Sequence, residues 1–131
     1  MDTSAFVAIL QDEPERRQFN EAIEAAASRL VSAETFLETS IFTETRFGSE
    51  GLRDLDLYFA KAKLEVVPVD LHQANVAHSA YRSYGRGRHP AGPNFGDCFS
   101  YALAKTMVQS LLYKGDDFLH TGLTPAIAIL R

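Results

Sequence analysis

Acidic side chains recur in this chain at positions where a predicted strand ends or a predicted helix begins. They are Asp2, Glu38, Asp97 and the adjacent pair Asp116 and Asp117. Carboxylates so far apart in sequence can share a metal ion only if the fold gathers them. Oxygen donors without His or Cys partners favour Mg²⁺, or Mn²⁺ in its place, over zinc. We therefore predict that these acids meet at one site and bind a divalent cation.

Each acid also has an ordinary structural interpretation. Asp97 lies three residues after Asn94, where a carboxylate gains roughly 0.3–1 kcal/mol from the helix dipole. Asp2 is also typical of a disordered terminus, and Glu38 is typical of a solvated helix face. The pair at 116–117 is typical of a turn. Several carboxylates gathered in a partly dry cleft would instead need a cation to offset their repulsion. A zinc site is disfavoured because the chain has one cysteine and its histidines lack paired ligand spacing.

The elements that must position these acids are helices and strands in alternation. The pattern of apolar residues, caps and breaks predicts helices at about 14–28, 32–47, 49–63, 70–84 and 95–107, and strands at 30–33, 64–69, 110–113 and 126–130. This alternation predicts an α/β fold of three layers (α/β/α), with helices on both faces of a short central parallel sheet. Ligands bind at the carboxyl ends of the strands in such sheets, and the acids fall at those ends.

Composition limits the class of protein. A chain of 131 residues that is 46% hydrophobic can bury a core without disulfides or zinc, so residues 1–131 are expected to form a single domain. The lone Cys98 is predicted to be a small buried hydrophobe in a reducing cytoplasm. Because no export leader and no apolar run of about 18 residues is found, we expect a cytoplasmic protein without membrane contact. The net charge of −4 argues against a surface coated in positive charge.

Four stretches of sequence resemble the PIN-domain toxins of the VapC type, and the resemblance spans essentially the whole chain. They are Asp-Thr-Ser-Ala at 2–5, Leu-Glu-Thr-Ser at 37–40, Tyr-Gly-Arg-Gly-Arg-His-Pro-Ala-Gly-Pro-Asn-Phe-Gly-Asp-Cys-Phe at 84–99, and Lys-Gly-Asp-Asp-Phe at 114–118. The resemblance implies a PIN-like domain and a Mg²⁺-dependent endoribonuclease. It also implies the toxic half of a type II toxin–antitoxin module, inhibited by a VapB-like antitoxin, and a homodimer.

The resemblance also implies roles for individual acids. It implies that Asp2 and Asp97 bind the metal ion and that Glu38 is a supporting acid of the active site. For the fourth acid we favour Asp116 and keep Asp117 as its competitor. The reaction would be hydrolysis of an RNA phosphodiester bond by a metal-activated water, without a protein nucleophile.

The chain departs from the family pattern in one respect. Relatives have two or three apolar residues before the Asp-Thr-Ser stretch, whereas only Met1 precedes Asp2 here. Weaker anchoring of Asp2 is therefore expected, which gives an alternative function: a catalytically weak PIN-like module that binds RNA or a protein partner. A phosphatase-like hydrolase with an acylphosphate on Asp2 is disfavoured, because position 4 is Ser where that chemistry favours Asp.

RNA that approaches an acidic cleft needs cations around the rim. A loop rich in glycine and proline at 85–93 leads into Asn94 and Asp97, and its sequence supplies some of them. Tyr81 and Tyr84 are available for base stacking. The predicted RNA-binding residues are Arg82, Arg86, Arg88 and Lys114, with His89 beside them.

Overall fold

The computed structural model describes residues 1–85, 92–115, 117–119 and 121–126. Its elements follow in the order α1 (Thr3–Leu10), α2 (Arg16–Ala25), β1 (Leu30–Ser32), α3 (Ala33–Ala62), β2 (Glu65–Val67), α4 (Leu71–Tyr84) and α5 (Phe95–Met107). Helices alternate with the strands of a short parallel sheet, which confirms the predicted α/β class. Among the described residues, no helix is both long and apolar enough to cross a membrane.

The sheet is wider than its two regular strands. β1 pairs in parallel with β2, so that Val31 faces Val66. On the other side of β1, the amino group of Met1 donates a 2.9 Å hydrogen bond to the Leu30 carbonyl. The amide of Asp2 in turn donates to the Leu112 carbonyl at 3.0 Å. Residues 1–2 therefore lie between β1 and the segment around Leu112, and Asp2 sits at the carboxyl edge of the sheet.

Two predicted strands differ from what the structure shows. Of residues 110–113, only Leu111 forms a bridge, which is parallel and pairs it with Pro125. Its amide donates to the Thr124 carbonyl and its carbonyl accepts from the Ala126 amide, both at 2.9 Å. The predicted strand at 126–130 lies mostly outside the described residues, as does most of the predicted loop at 85–93.

Local sequence signals explain where the helices begin and end. Ser32 caps α3, Asp70 caps α4 and Asn94 caps α5, at or next to the predicted starts of these helices. Gly48 interrupts α3 with φ +69° and ψ −160°, which confirms the predicted division into two helices. The predicted helix at 14–28 is shorter, because the backbone is already extended at Ala26.

Helix α5 lies in the middle of the fold. Most of its side chains are buried, and it packs against α4 in an apolar cluster that includes Ala77, Tyr101 and Phe118. Cys98 is buried as expected. A second cluster joins α1 and α2. This packing fixes the start of α5, and hence Asp97, against the sheet edge that carries Asp2.

Candidate active site

A cleft of about 370 Å³ opens at the carboxyl edge of the sheet. Among the described residues, five acids line it. Four of them were singled out in the sequence and come from different parts of the chain: Asp2 before α1, Glu38 within α3, Asp97 in the first turn of α5, and Asp117 after the segment around Leu112. The other lining acid is Glu13, which lies between α1 and α2. The structure thus brings together four of the five acids singled out in the sequence. The fifth, Asp116, lies outside the described residues.

Asp2 is firmly held despite its position near the start of the chain. Only 2% of its surface is exposed. Its Oδ2 accepts hydrogen bonds from the Ser4 amide at 3.0 Å and the Ser4 hydroxyl at 2.7 Å. Its Oδ1 accepts from the Ser100 hydroxyl at 2.7 Å. The expectation of weak anchoring was therefore wrong, because the first turn of α1 and the buried face of α5 both fix this carboxylate.

Asp97 combines the role of a helix cap with a place in the cleft. Its Oδ2 accepts a 2.9 Å hydrogen bond from the Asn94 amide, while the Asn94 side chain accepts one from the Asp97 amide at 2.9 Å. Burial, the charge of Asp2, and the hydrogen bond and charge of Asp117 together raise the pKa of Asp97 to about 8, against the opposing effect of the Asn94 amide. The ordinary capping role is thus present, but it does not remove the repulsion among the acids.

Two close contacts hold the Glu38 carboxylate in the cleft. The hydroxyl of Thr3 donates a short hydrogen bond to Glu38 Oε1. On the other side, the carboxylate lies against the α-carbon of Gly96, where an added β-carbon would overlap Oε2 and lie 3.0 Å from the carboxyl carbon. The absence of a side chain at position 96 leaves the space that Glu38 occupies at the start of α5.

Glu34 is a further acid that sequence reasoning missed. It lies one helical turn before Glu38 on α3, and its Oε2 is buried without a hydrogen-bond partner. Burial, followed by the charges of Glu38 and Asp2, raises the pKa of Glu34 to about 7. The spacing of four residues between the two glutamates was the available signal, since such residues share one helix face.

Neutral side chains that hold the acids in place were also missed. The Ser100 hydroxyl, which donates to Asp2, lies 3.1 Å from the hydroxyl of the fully buried Thr35. The Ser4 hydroxyl donates to Asp2, whose side chain caps α1. One signal for Ser100 was its position three residues after Asp97, which places both side chains toward one face of α5.

The cations predicted to bind RNA have different positions. Lys114 lines the cleft. Arg82 is exposed near the end of α4 and is not among the residues that line the cleft, while Arg86, Arg88 and His89 lie outside the described residues. Tyr84, predicted to be available for stacking, packs its ring against Tyr101 with 6.1 Å between ring centroids.

The chemistry of the donors suits a hard divalent cation. Among the described residues that line the cleft, the charged groups are carboxylates apart from Lys114, and none is His or Cys. An ionised carboxylate offers about four acceptor positions, and Asp2 uses three. With the side chains in their present positions, no three His, Cys, Asp or Glu residues among those described are grouped closely enough to hold a metal ion. Binding would thus require these side chains to close in, and relief of the repulsion at Asp97 would favour that movement.

A second cavity of about 310 Å³ lies at the opposite, amino ends of the strands. Residues such as Met1, Leu30, Leu64 and Ser110 line it, and no described Asp or Glu does. Since ligands of parallel sheets bind at the carboxyl ends of strands, the acidic cleft is the better candidate for the active site.

The sequence matches a known family and several known proteins. The family model described as "PIN domain" matches residues 1–123. The chain is 53% identical over 121 residues to "Ribonuclease VapC30" of Mycobacterium tuberculosis, with 92% of each chain covered. It is 52% identical over 118 residues to "Ribonuclease VapC" of Mycolicibacterium smegmatis, with 90% of this chain and 92% of the relative covered. It is also 44% identical over 128 residues to "Ribonuclease VapC28" of M. tuberculosis, covering 97% of this chain and 96% of the relative.

Proposed function

This chain belongs to the PIN-domain family of VapC-type ribonuclease toxins, and on that premise we propose that it is a Mg²⁺-dependent endoribonuclease that hydrolyses RNA phosphodiester bonds. The observation that supports the finer assignment is the cleft in which Asp2, Glu38, Asp97 and Asp117 meet. Four acids from distant segments have no common structural task at that edge of the sheet, whereas a hard cation would use all of them. We assign the role of fourth acid to Asp117, with Asp116 kept as the alternative.

In this proposal Asp2 and Asp97 hold the metal, with Glu38 and the fourth acid beside them. Mn²⁺ would serve in place of Mg²⁺. When bound, the ion offsets the charge of the scissile phosphate and lowers the pKa of a water molecule. Hydrolysis adds the water oxygen to phosphorus and breaks a bridging P–O bond, and the leaving oxygen takes up a proton.

The residues around the acids provide preorganisation. Ser4 and Ser100 fix the orientation of the Asp2 carboxylate, Thr3 that of Glu38, and the Asn94 amide that of Asp97. Once the carboxylates have closed in on the ion, groups held in this way need little further movement when charge develops in the transition state.

The direct test is cleavage of a labelled single-stranded RNA with Mg²⁺, with Mn²⁺ and with EDTA. Asp97→Asn keeps an acceptor for the Asn94 amide but removes the charge, so activity should be lost while the fold remains. Asp56→Asn makes the same change at an exposed site of α3 and should retain activity. Cleavage that persists in EDTA, or in Asp97→Asn, would overturn the proposal.

The alternative is a PIN-like module that binds RNA or a protein without cleaving. It is favoured by one observation: the acids are not grouped at metal-binding separations among the described residues. The same assay separates the two functions, because a binding module would shift labelled RNA in a gel with or without Mg²⁺ and would leave it intact.

We also propose a VapB-like antitoxin as the protein partner and a cytoplasmic location, where RNA and antitoxin are made. A guanidinium group from the antitoxin would fit the acidic cleft through charge-assisted hydrogen bonds. The proposal includes a homodimer, for which Leu37 and Ile41 on α3 and Phe95 on α5 offer exposed apolar area. Light scattering on the wild type and on Leu37→Ser with Ile41→Ser tests the dimer, because a monomeric wild type would exclude it.

For the RNA-facing surface we propose Arg82, Arg86 and Arg88 in addition to Lys114. Replacement of Arg86 and Arg88 by Ala should weaken RNA binding and flatten its dependence on salt. Metal binding should be unchanged. An unaltered RNA affinity would show that these two arginines do not belong to the RNA-binding surface.

A further inference from the structure

Lys114 occupies a special position in the cleft. Among the described residues that line the cleft it is the only cation, and Asp2, Glu13, Glu38, Asp97 and Asp117 are the acids. A phosphate group entering this part of the cleft would therefore find one positive side chain within a strongly negative surrounding. The affinity for RNA therefore depends on whether the Lys114 ammonium group is free to contact a phosphate.

Two glutamates from the turn between α1 and α2 hold this lysine. Its Nζ makes a short ion pair with Glu13 and lies 3.2 Å from Glu15 Oε2. The hydrogen bond to Glu13 is the main reason that the pKa of Lys114 is raised, with Glu15 contributing as well. Two carboxylates against one ammonium leave the group with a net negative charge. Lys114 is thus more than neutralised before any ligand arrives.

The backbone around this group is fixed on both sides. The Glu13 amide donates a 2.9 Å hydrogen bond to the Ala8 carbonyl at the end of α1. The Lys114 amide donates to the Ser4 hydroxyl at 2.9 Å, and Ser4 in turn donates to Asp2. The three charged side chains remain partly exposed, with 27% to 39% of their surface accessible. Solvent and a phosphate can therefore reach the ammonium group, although its neighbours are held in place.

We propose that Glu13 and Glu15 set the affinity of this protein for RNA by competing with the RNA phosphate for Lys114. This inference rests on the proposed function. RNA binding then requires exchange of the carboxylate partners of Lys114 for a phosphate, and the two released glutamates repel the same phosphate. The glutamates therefore weaken RNA binding. An RNA binds well only if its other contacts with the protein outweigh this competition.

The test is the affinity for a fluorescein-labelled single-stranded RNA of mixed sequence, measured by anisotropy in EDTA over a range of NaCl concentrations. The double variant Glu13→Gln with Glu15→Gln keeps the side-chain shapes and frees Lys114. Its affinity at low salt should rise roughly threefold or more, and the slope of log K against log salt should steepen by about 0.7, the value for one further phosphate contact with a single strand.

Two comparisons decide whether Lys114 carries the effect. In a Lys114→Met background the same two Gln substitutions should change the affinity less than twofold, by the logic of a double-mutant cycle. Glu24→Gln with Glu44→Gln removes the same charge from exposed helix surfaces on α2 and α3 and should leave the salt slope unchanged. Thermal melting of each variant verifies that it is folded.

The outcomes separate this inference from the proposed function. If the Gln pair tightens binding equally in the Lys114→Met background, or has no effect in the wild type, the competition for Lys114 is overturned while cleavage stands. If the wild type neither binds nor cleaves the RNA, both are overturned. A gain that depends on Lys114 supports the inference even if cleavage proves independent of Mg²⁺.

Discussion

The carboxylate of Glu38 packs directly against the α-carbon of Gly96 at the start of α5. This contact brings a side chain of α3 next to Asp97, since Gly96 is its immediate neighbour. Gly96 lies within a regular helix and has no positive φ. The glycine is therefore explained by the space that Glu38 needs and not by backbone conformation.

Gly96→Ala should displace Glu38 and lower the cleavage rate. A shift of about 1 Å in an active-site group can reduce the rate about 10²-fold, so we expect a loss of that order in kcat. Thermal stability should change little, because Ala suits a helix better than Gly. In a Glu38→Ala background, Gly96→Ala should lower kcat hardly any further. Equal losses in both backgrounds would show that the Ala acts through the helix and not through Glu38.

Ser100→Ala should weaken the site through Asp2. The hydroxyl of Ser100 fixes Asp2 Oδ1 at 2.7 Å. Loss of a partner that orients a metal ligand typically costs about 10- to 100-fold in metal affinity or activity. The midpoint of activation by Mg²⁺ should therefore move to higher concentration. Thr106→Ala removes a hydroxyl from the same helix that bonds only to helix carbonyls, and should not move the midpoint.

The parts of the fold that can be predicted from the sequence are those that depend on residues close together along the chain. The helix starts at Asn94 and Asp70 and the break at Gly48 depend on a few residues each, and all three lie where predicted. The gathering of acids at one sheet edge also followed, because parallel strands place their carboxyl ends together.

The contacts that the sequence did not reveal join residues far apart in the chain. Ser100 and Asp2 are 98 residues apart, and Lys114 and Glu13 are 101 apart. No local pattern distinguishes a hydroxyl that orients an acid from one that caps a turn. The prediction of Lys114 as an RNA-binding residue was likewise incomplete, since its pairing with the glutamates depends on how α1 meets the segment around Leu112.

The metal-free protein should lose stability as the pH rises from about 4 to about 8. Asp97 has an ordinary pKa of 3.8 and a folded-state pKa of about 8. Below the lower value both states hold the proton, and between the two values only the unfolded chain has ionised, so folding becomes less favourable. Melting temperatures in EDTA should fall across this range, and Mg²⁺ should restore them by binding the folded state. Asp97→Asn should reduce the fall, and an identical pH profile for this variant would contradict the assignment.

Glu34→Gln should have opposite effects on stability and metal affinity. Glu34 has an ordinary pKa of 4.5, raised to about 7 in the folded protein, so its ionisation opposes folding as the pH rises between these values. Removing this acid should raise the melting temperature in EDTA near pH 8 and have little effect near pH 4. The activation midpoint for Mg²⁺ should rise, because a nearby negative charge that attracts the cation is lost. Glu44→Gln, on an exposed part of the same helix, should change neither quantity. If Glu34→Gln lowered stability near pH 8, the carboxylate would have to be making a favourable contact, and its role as an unpaired acid beside the cleft would be refuted.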